Sequence, residues 1–202
     1  MKPVLFIDFD GTLCFDRFWR SADPETFKKI QSYLFLSKSE MVYRWMLGKY
    51  TAEEINVHIA DQLGISHEPL FKLFVQDCET MRIERSALEK ISLLRSRYST
   101  VLMTDNMDCF SRFTVPSLKL GDYFDAIINS YYEKRSKNHA GGKLFIDVLA
   151  RQNSPIAGSI LIDNSKPTCE IFGALGGTSL FVSKEKTLSH WLKIIDSGSI
   201  HA

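Results

Sequence analysis

The stretch Val4-Leu5-Phe6-Ile7-Asp8-Phe9-Asp10-Gly11-Thr12-Leu13 constrains the fold more than any other part of the chain. Four consecutive apolar residues, two of them β-branched, run directly into a carboxylate. That pattern reads as a strand buried on both faces and central in a parallel sheet. In open α/β sheets, ligands bind beyond the carboxyl ends of the strands, where Asp8 and Asp10 fall. If the extended conformation persists for two more residues, Asp8 and Asp10 project to one side and Phe9 turns back into the core. Gly11 then permits a tight turn that a Cβ would resist. Two carboxylates held side by side repel one another, so the arrangement calls for a compensating cation, most simply Mg²⁺.

Asp8-Phe9-Asp10-Gly11-Thr12 resembles the first motif of the haloacid-dehalogenase-like (HAD) hydrolase superfamily, most of whose members are Mg²⁺-dependent phosphatases. The resemblance implies an α/β fold: a Rossmann-like, mostly parallel sheet flanked by helices. It also implies three further motifs along the chain.

At 202 residues the chain can bury a sizeable core, as one domain or as a core with a subdomain. A net charge of +1 gives no support to nucleic-acid binding through bulk charge. The four cysteines, Cys14, Cys78, Cys109 and Cys169, are far apart and show no metal-ligand spacing, so free thiols in a reducing compartment are expected. Met1-Lys2-Pro3 leads into a short apolar run that ends at an acidic pair, which is not a secretory signal. No stretch approaches the ~18 apolar residues needed to span a membrane. The expectation is a soluble, cytoplasmic protein; the sequence does not fix its oligomeric state.

From about residue 14 to 83 the chain changes character: glycine occurs only at Gly48 and Gly64, and helix formers dominate. Asp23 and Pro24 form a good helix start, with Phe27, Ile30, Tyr33 and Leu34 at helical spacing. Thr51-Ala52-Glu53-Glu54 is a capping box, and Ile55, Ile59 and Leu63 continue an apolar face until Gly64. A further helix is expected from Glu68 to Asp77. No alternating strand pattern interrupts the segment. It reads as an all-helical cap (14–83) inserted into a catalytic core (1–13 and 84–202), an arrangement typical of one large branch of the family. Arg17, Trp19, Arg20, Arg44, Trp45 and Lys49 are its conspicuous residues. The resemblance places some of them over the site, with Arg17 and Arg20 favoured as substrate-binding because they lie just past the first strand. The alternative is that the tryptophans are cap core and the basic residues are solvated.

Ser86–Arg97 reads as a helix, followed by a strand at 100–103 and then Thr104-Asp105-Asn106. The family binds phosphate with a Ser or Thr at this position. The Thr104 hydroxyl and the following backbone N–H groups, at Asp105 and Asn106, can donate to phosphoryl oxygens. A third core strand is expected at about 126–129. The family next requires a lysine, usually followed by proline, and here no Lys-Pro pair exists. Forward spacing from Ser130 selects Lys137, while backward spacing from Phe145 falls on His139. Lys137 is favoured, with Lys143 and then Lys134 as alternatives. Ser159-Ile160-Leu161-Ile162-Asp163 repeats the opening theme. By resemblance Asp163 is a direct metal ligand; Asn164 stands where a second acid is common, and Glu170 is the next acid along. A last strand at 179–182, a helix from Leu188 to about Ile195 and a frayed tail from Ser197 complete the chain.

By resemblance, Asp8 is the nucleophile, Asp10 the general acid and base, and Asp8, Asp10 and Asp163 hold Mg²⁺. Thr104 and Lys137 supply further charge compensation, and the cap closes over the site. The reaction implied is hydrolysis of a small phosphorylated metabolite through an aspartyl-phosphate. A phosphomutase of the same family retains all these motifs, and a catalytically weak binding module would account for the atypical third motif and Asn164.

Overall fold

The computed structural model describes residues 1–199. Its sheet is five-stranded and fully parallel: β1 (Val4–Ile7), β2 (Ser99–Thr104), β3 (Ala126–Asn129), β4 (Ile160–Asp163) and β5 (Thr178–Phe181), in the order β3-β2-β1-β4-β5. The opening strand is therefore central, as its uninterrupted apolar run requires.

Alternation along the strands sorts side chains onto two faces. Leu5, Ile7, Leu102, Ile160 and Ile162 form one cluster, with residues of α5 (Arg85–Leu94) and the C-terminal Leu188–Asp196 helix. Val4, Phe6, Val101, Met103 and Leu161 form the other, with residues of the Lys143–Arg151 and Lys166–Ala174 helices. Phe6 packs edge-on against Phe145 and Phe172, with ring centroids 5.3 and 5.6 Å away. A Phe6→Ala change at this fully buried junction would cost about 3–5 kcal/mol.

Between β1 and α5 the chain is helical: α1 (Pro24–Gln31), α2 (Ser39–Met46), α3 (Ala52–Leu63) and α4 (His67–Glu79). Asp23 caps α1 by accepting from the Glu25 and Thr26 amides, and both halves of the Thr51/Glu54 capping box form. Gly64 ends α3 at φ 65°. Two features differ from the sequence reading. The first helix gives way after Gln31 to a π-helical turn, Ser32–Ser37, and α2 carries no strong sequence signal. The wider turn keeps Ile30 and Leu34 buried while bringing Gln31 and Phe35 to one wall of a cavity. Trp19, Trp45 and Phe74 are fully buried in this layer's own core. Trp19 and Trp45 are thus packing residues, with indole N–H groups donating to Asn56 Oδ1 at 2.9 Å and Asp108 Oδ1 at 2.7 Å. Where the chain leaves and re-enters the sheet layer, Cys14 and Ile83 form an antiparallel bridge.

Downstream of β2 come α6 (Val115–Ser117) and, after β3, α7 (Ser130–Glu133), α8 (Lys143–Arg151), α9 (Lys166–Ala174) and α10 (Leu188–Asp196). The last strand begins one residue earlier than the apolar pattern suggests and ends at Phe181. All four cysteines are free and buried. Among the described residues no helix is long and apolar enough to cross a membrane. Ser197 caps the end of α10, and residues 200–202 of the expected tail lie outside the described residues.

Candidate active site

Parallel register brings the strand ends together. Ile7 pairs with Leu102 on one side and Ile162 on the other, so Asp8 and Asp163 emerge level on adjacent strands. The Asp8 amide still donates to the Ile162 carbonyl at 3.0 Å, tying Asp8 to the neighbouring strand. Phe9 then turns into the core and its carbonyl accepts from the amides of Thr12, Leu13 and Cys14. Gly11 sits at φ 78°, and a Cβ there would lie 2.1 Å from the Asn164 amide nitrogen. The turn that exposes Asp10 therefore needs glycine for its conformation, and Asn164 lies over the space a Cβ would take. Asn164 is accordingly packed over Gly11, and Glu170 is exposed on α9.

Lys137 joins the two strand-end carboxylates. Its Nζ lies 2.8 Å from Asp8 Oδ1 and 2.6 Å from Asp163 Oδ2, and the residue is 4% exposed. Its own amide donates to Asp105 Oδ1 at 2.9 Å, which fixes the loop to the end of β2. Lys143 instead pairs with Asp147 on the surface of α8, and Lys134 reaches the Gly48 carbonyl and the Tyr131 ring. His139 is exposed. No Lys-Pro pair is present; between Lys137 and α8, Ala140, Gly141 and Gly142 all take positive φ. That left-handed stretch takes up the residues that made the two spacings disagree.

Burial dominates the electrostatics. It pushes the Asp8 carboxyl well above the usual carboxylate range against the pull of Lys137, and the charge on Asp163 adds to the push. Burial likewise raises Asp105, with Lys137 opposing. It works against the Lys137 ammonium too, but Asp8, Asp163 and Asp105 outweigh it and hold the lysine charged. One cation thus faces three acids, which is a deficit of positive charge. The remaining lone pairs belong to hard oxygens, those of the Asp8 and Asp163 carboxylates. That donor set fits a small divalent cation. Among the described residues no group of three or more His, Cys, Asp or Glu side chains is gathered at metal-binding distance, so a cation here needs backbone and water oxygens to complete its shell.

At the end of β2 the Thr104 hydroxyl is buried with no hydrogen-bond partner among the described residues. A buried orphan hydroxyl beside buried charge marks a place prepared for an acceptor. Asn106 is buried as well; its amide donates to Ser130 Oγ, and its side-chain oxygen accepts from the Met107 amide. Asn129 and Ser130 support this loop from the end of β3, with Asn129 Nδ2 donating to the Met107 carbonyl at 2.8 Å. Neither residue was singled out from the sequence, although both lie at a strand's carboxyl end, the signal that exposed the other site residues.

Beside the strand ends lies a cavity of about 440 Å³, reached by Phe9, Asp10, Arg17, Asp105 and Asn106. Arg17 pairs with Asp10 at its edge, where both side chains are half-exposed. Arg20 corrects the sequence reading. It does not line the cavity; its guanidinium donates to the Asp77 carbonyl at 2.6 Å and to the Thr80 carbonyl at 2.8 Å, closing the end of α4. The chain turns between these arginines because Trp19 adopts φ 59°, a conformation rare for a bulky side chain. Arg44 and Lys49 are exposed and lie away from the cavity.

No family model and no curated protein sequence matches the chain. Solved structures do. A HAD-family enzyme from Bacteroides thetaiotaomicron, in complex with magnesium and inorganic phosphate, superposes with a TM-score of 0.71 at 19% identity, covering 95% of this chain and 99% of its own. A predicted HAD-like hydrolase from Porphyromonas gingivalis gives 0.71 at 14% identity over the whole of both chains. The chain has the HAD-like fold. An L-2-haloacid dehalogenase from Xanthobacter autotrophicus also shares it, with a TM-score of 0.64 at 17% identity, covering all of this chain and 85% of that one. Because the HAD-like fold carries both phosphate and halide chemistry, the reaction has to be argued from the site.

Proposed function

We propose that this protein is a Mg²⁺-dependent phosphatase that hydrolyses a small phosphomonoester through an aspartyl-phosphate. The observation that carries the reading is the convergence of Asp8, Asp163, Lys137 and the unpartnered Thr104 hydroxyl at the ends of β1, β4 and β2. The bound magnesium and phosphate of the Bacteroides enzyme support it by likeness.

In the first step an Asp8 carboxylate oxygen attacks phosphorus, and the bond from phosphorus to the leaving oxygen breaks. Asp10, at the cavity edge, gives that oxygen its proton. It then takes a proton from the water that cleaves the aspartyl-phosphate and restores Asp8. The Thr104 hydroxyl and the Asp105 backbone N–H donate to phosphoryl oxygens, and Lys137 offsets charge on Asp8 and the transferring group. Mg²⁺ held by the Asp8 and Asp163 carboxylates and the Asp10 carbonyl would supply the positive charge that draws the anionic substrate to the anionic nucleophile. Asp10 argues against halide displacement, because a halide leaves without a proton.

Phosphate release from a panel of phosphomonoesters, with Mg²⁺ and with chelator, tests the reading in the wild type and in Asp8→Asn. Metal-dependent release that vanishes in the variant is expected. Release that persists in Asp8→Asn, or none from any ester with folded protein and Mg²⁺ present, overturns it.

A further inference from the structure

Beyond the reaction class, the cavity walls discriminate among leaving groups. The cap contributes Phe35, Val42 and Met46, and the stems that join it to the core contribute Phe18 and Met81. Gln31 is the one polar side chain that α1–α4 and the π turn present, and its Nε2 already donates to the Phe18 carbonyl.

The polar lining lies nearer the floor, at Asp10, Asp16, Arg17, Asp105 and Asn106. Asp16 accepts from the Arg82 backbone and guanidinium N–H groups and pairs with Arg20. Arg17 is engaged with Asp10. On the cap side a sugar, polyol or nucleoside would set its outer hydroxyls against Phe35, Val42 and Met46, which offer no partners, and each unpaired hydroxyl is costly. Apolar carbon would meet aromatic rings and pliable methionines.

We infer that the site selects phosphomonoesters of apolar alcohols, alkyl or single-ring aryl, over those of sugars, polyols and nucleosides. This rests on the phosphatase reading for its chemistry, but the preference resides in the cavity and can be measured without turnover.

The test uses phosphonates, whose carbon–phosphorus bond the proposed mechanism cannot cleave. Their affinities for the wild-type protein with Mg²⁺ are measured by calorimetry, alongside phosphate release from butyl phosphate. From methyl- to hexylphosphonate, affinity is expected to rise about three- to fourfold per buried methylene until the cavity is full. Butylphosphonate should bind at least about tenfold more tightly than 3,4-dihydroxybutylphosphonate, whose hydroxyls go unpaired. Phe35→Ser, at a residue 37% exposed and so tolerant of change, should flatten the gradient while methylphosphonate binding holds. A flat series, no binding of any phosphonate, or preference for the dihydroxy compound overturns the inference, whether or not butyl phosphate is hydrolysed. A steep series without phosphate release supports the apolar preference and tells against the phosphatase reading alone.

Discussion

The ammonium of Lys137 lies 2.8 Å from Asp8 Oδ1, joining residues 129 positions apart in the chain and compensating a carboxylate that, among the described residues, has no other cation beside it. The same nitrogen meets Asp163. Lys137→Ala leaves two buried acids facing each other, a loss of about 3–5 kcal/mol for a broken buried pair. Urea unfolding in chelator should show that loss, and Mg²⁺ should restore part of it by occupying the same acids. Lys143→Ala and Lys134→Ala, at exposed positions, should stay within about 0.5 kcal/mol of wild type. Equal stability of all three variants would remove Lys137 from its assigned place.

Asp108 fastens α2 and α3 to the segment that follows β2. Its carboxylate accepts from Trp45 Nε1 at 2.7 Å, from the Ala52 amide at 3.1 Å and from Arg112 at 2.8 Å, while Arg112 also reaches Glu53. Asp108→Ala would strand two buried N–H groups, each costing about 1–3 kcal/mol. Amide hydrogen exchange should accelerate in α2 and α3 well before it does in β1 and β4. Uniform acceleration across the chain would mean that the α1–α4 layer and the sheet unfold as one unit.

The strand ends were legible because a buried apolar run stopped by a carboxylate has few alternative readings. Asp8 and Asp163 stand out by that pattern, whereas Thr104, at the end of an equally buried strand but with no carboxylate, is picked out only by the resemblance. Lys137 was harder, because its loop departs from Lys-Pro and no local rule reveals that Ala140, Gly141 and Gly142 turn left-handed. Arg20 misled for a related reason. Nearness to the first strand was its only credential, and its direction is set by Trp19 at φ 59°, which no propensity anticipates for tryptophan. The cavity wall was invisible because it depends on a π turn, where one extra residue decides that Phe35 faces inward.

Asp16, between β1 and α1, sets a pH dependence. The Arg82 guanidinium holds its carboxyl below the ordinary value of 3.8, with burial opposing. A depressed pKa contributes stability that is fully present above the unfolded value and disappears as pH falls through the folded one. Asp16→Asn should therefore cost about 1 kcal/mol at pH 7, modest because Arg82 is largely exposed. The gap between variant and wild type should stay constant down to about pH 5 and close below pH 4. Denaturant titrations across that range check it; a gap that widens in acid would reverse the assignment.

Thr104 separates binding from folding. Its hydroxyl is buried and unpartnered among the described residues, so the folded protein bears a desolvated polar group with nothing in return. Replacing it by the near-isosteric valine removes no hydrogen bond and relieves that cost, so Thr104→Val should match or exceed wild-type stability in phosphate-free buffer. Ester hydrolysis should nevertheless fall by about 10²-fold or more, as when a transition-state donor is lost, and phosphate binding should weaken as well. Thermal unfolding with and without inorganic phosphate, beside the release assay, reads both effects. Lower stability without phosphate would mean that the hydroxyl is bonded within the fold, and undiminished hydrolysis would mean that it does not face the phosphoryl group.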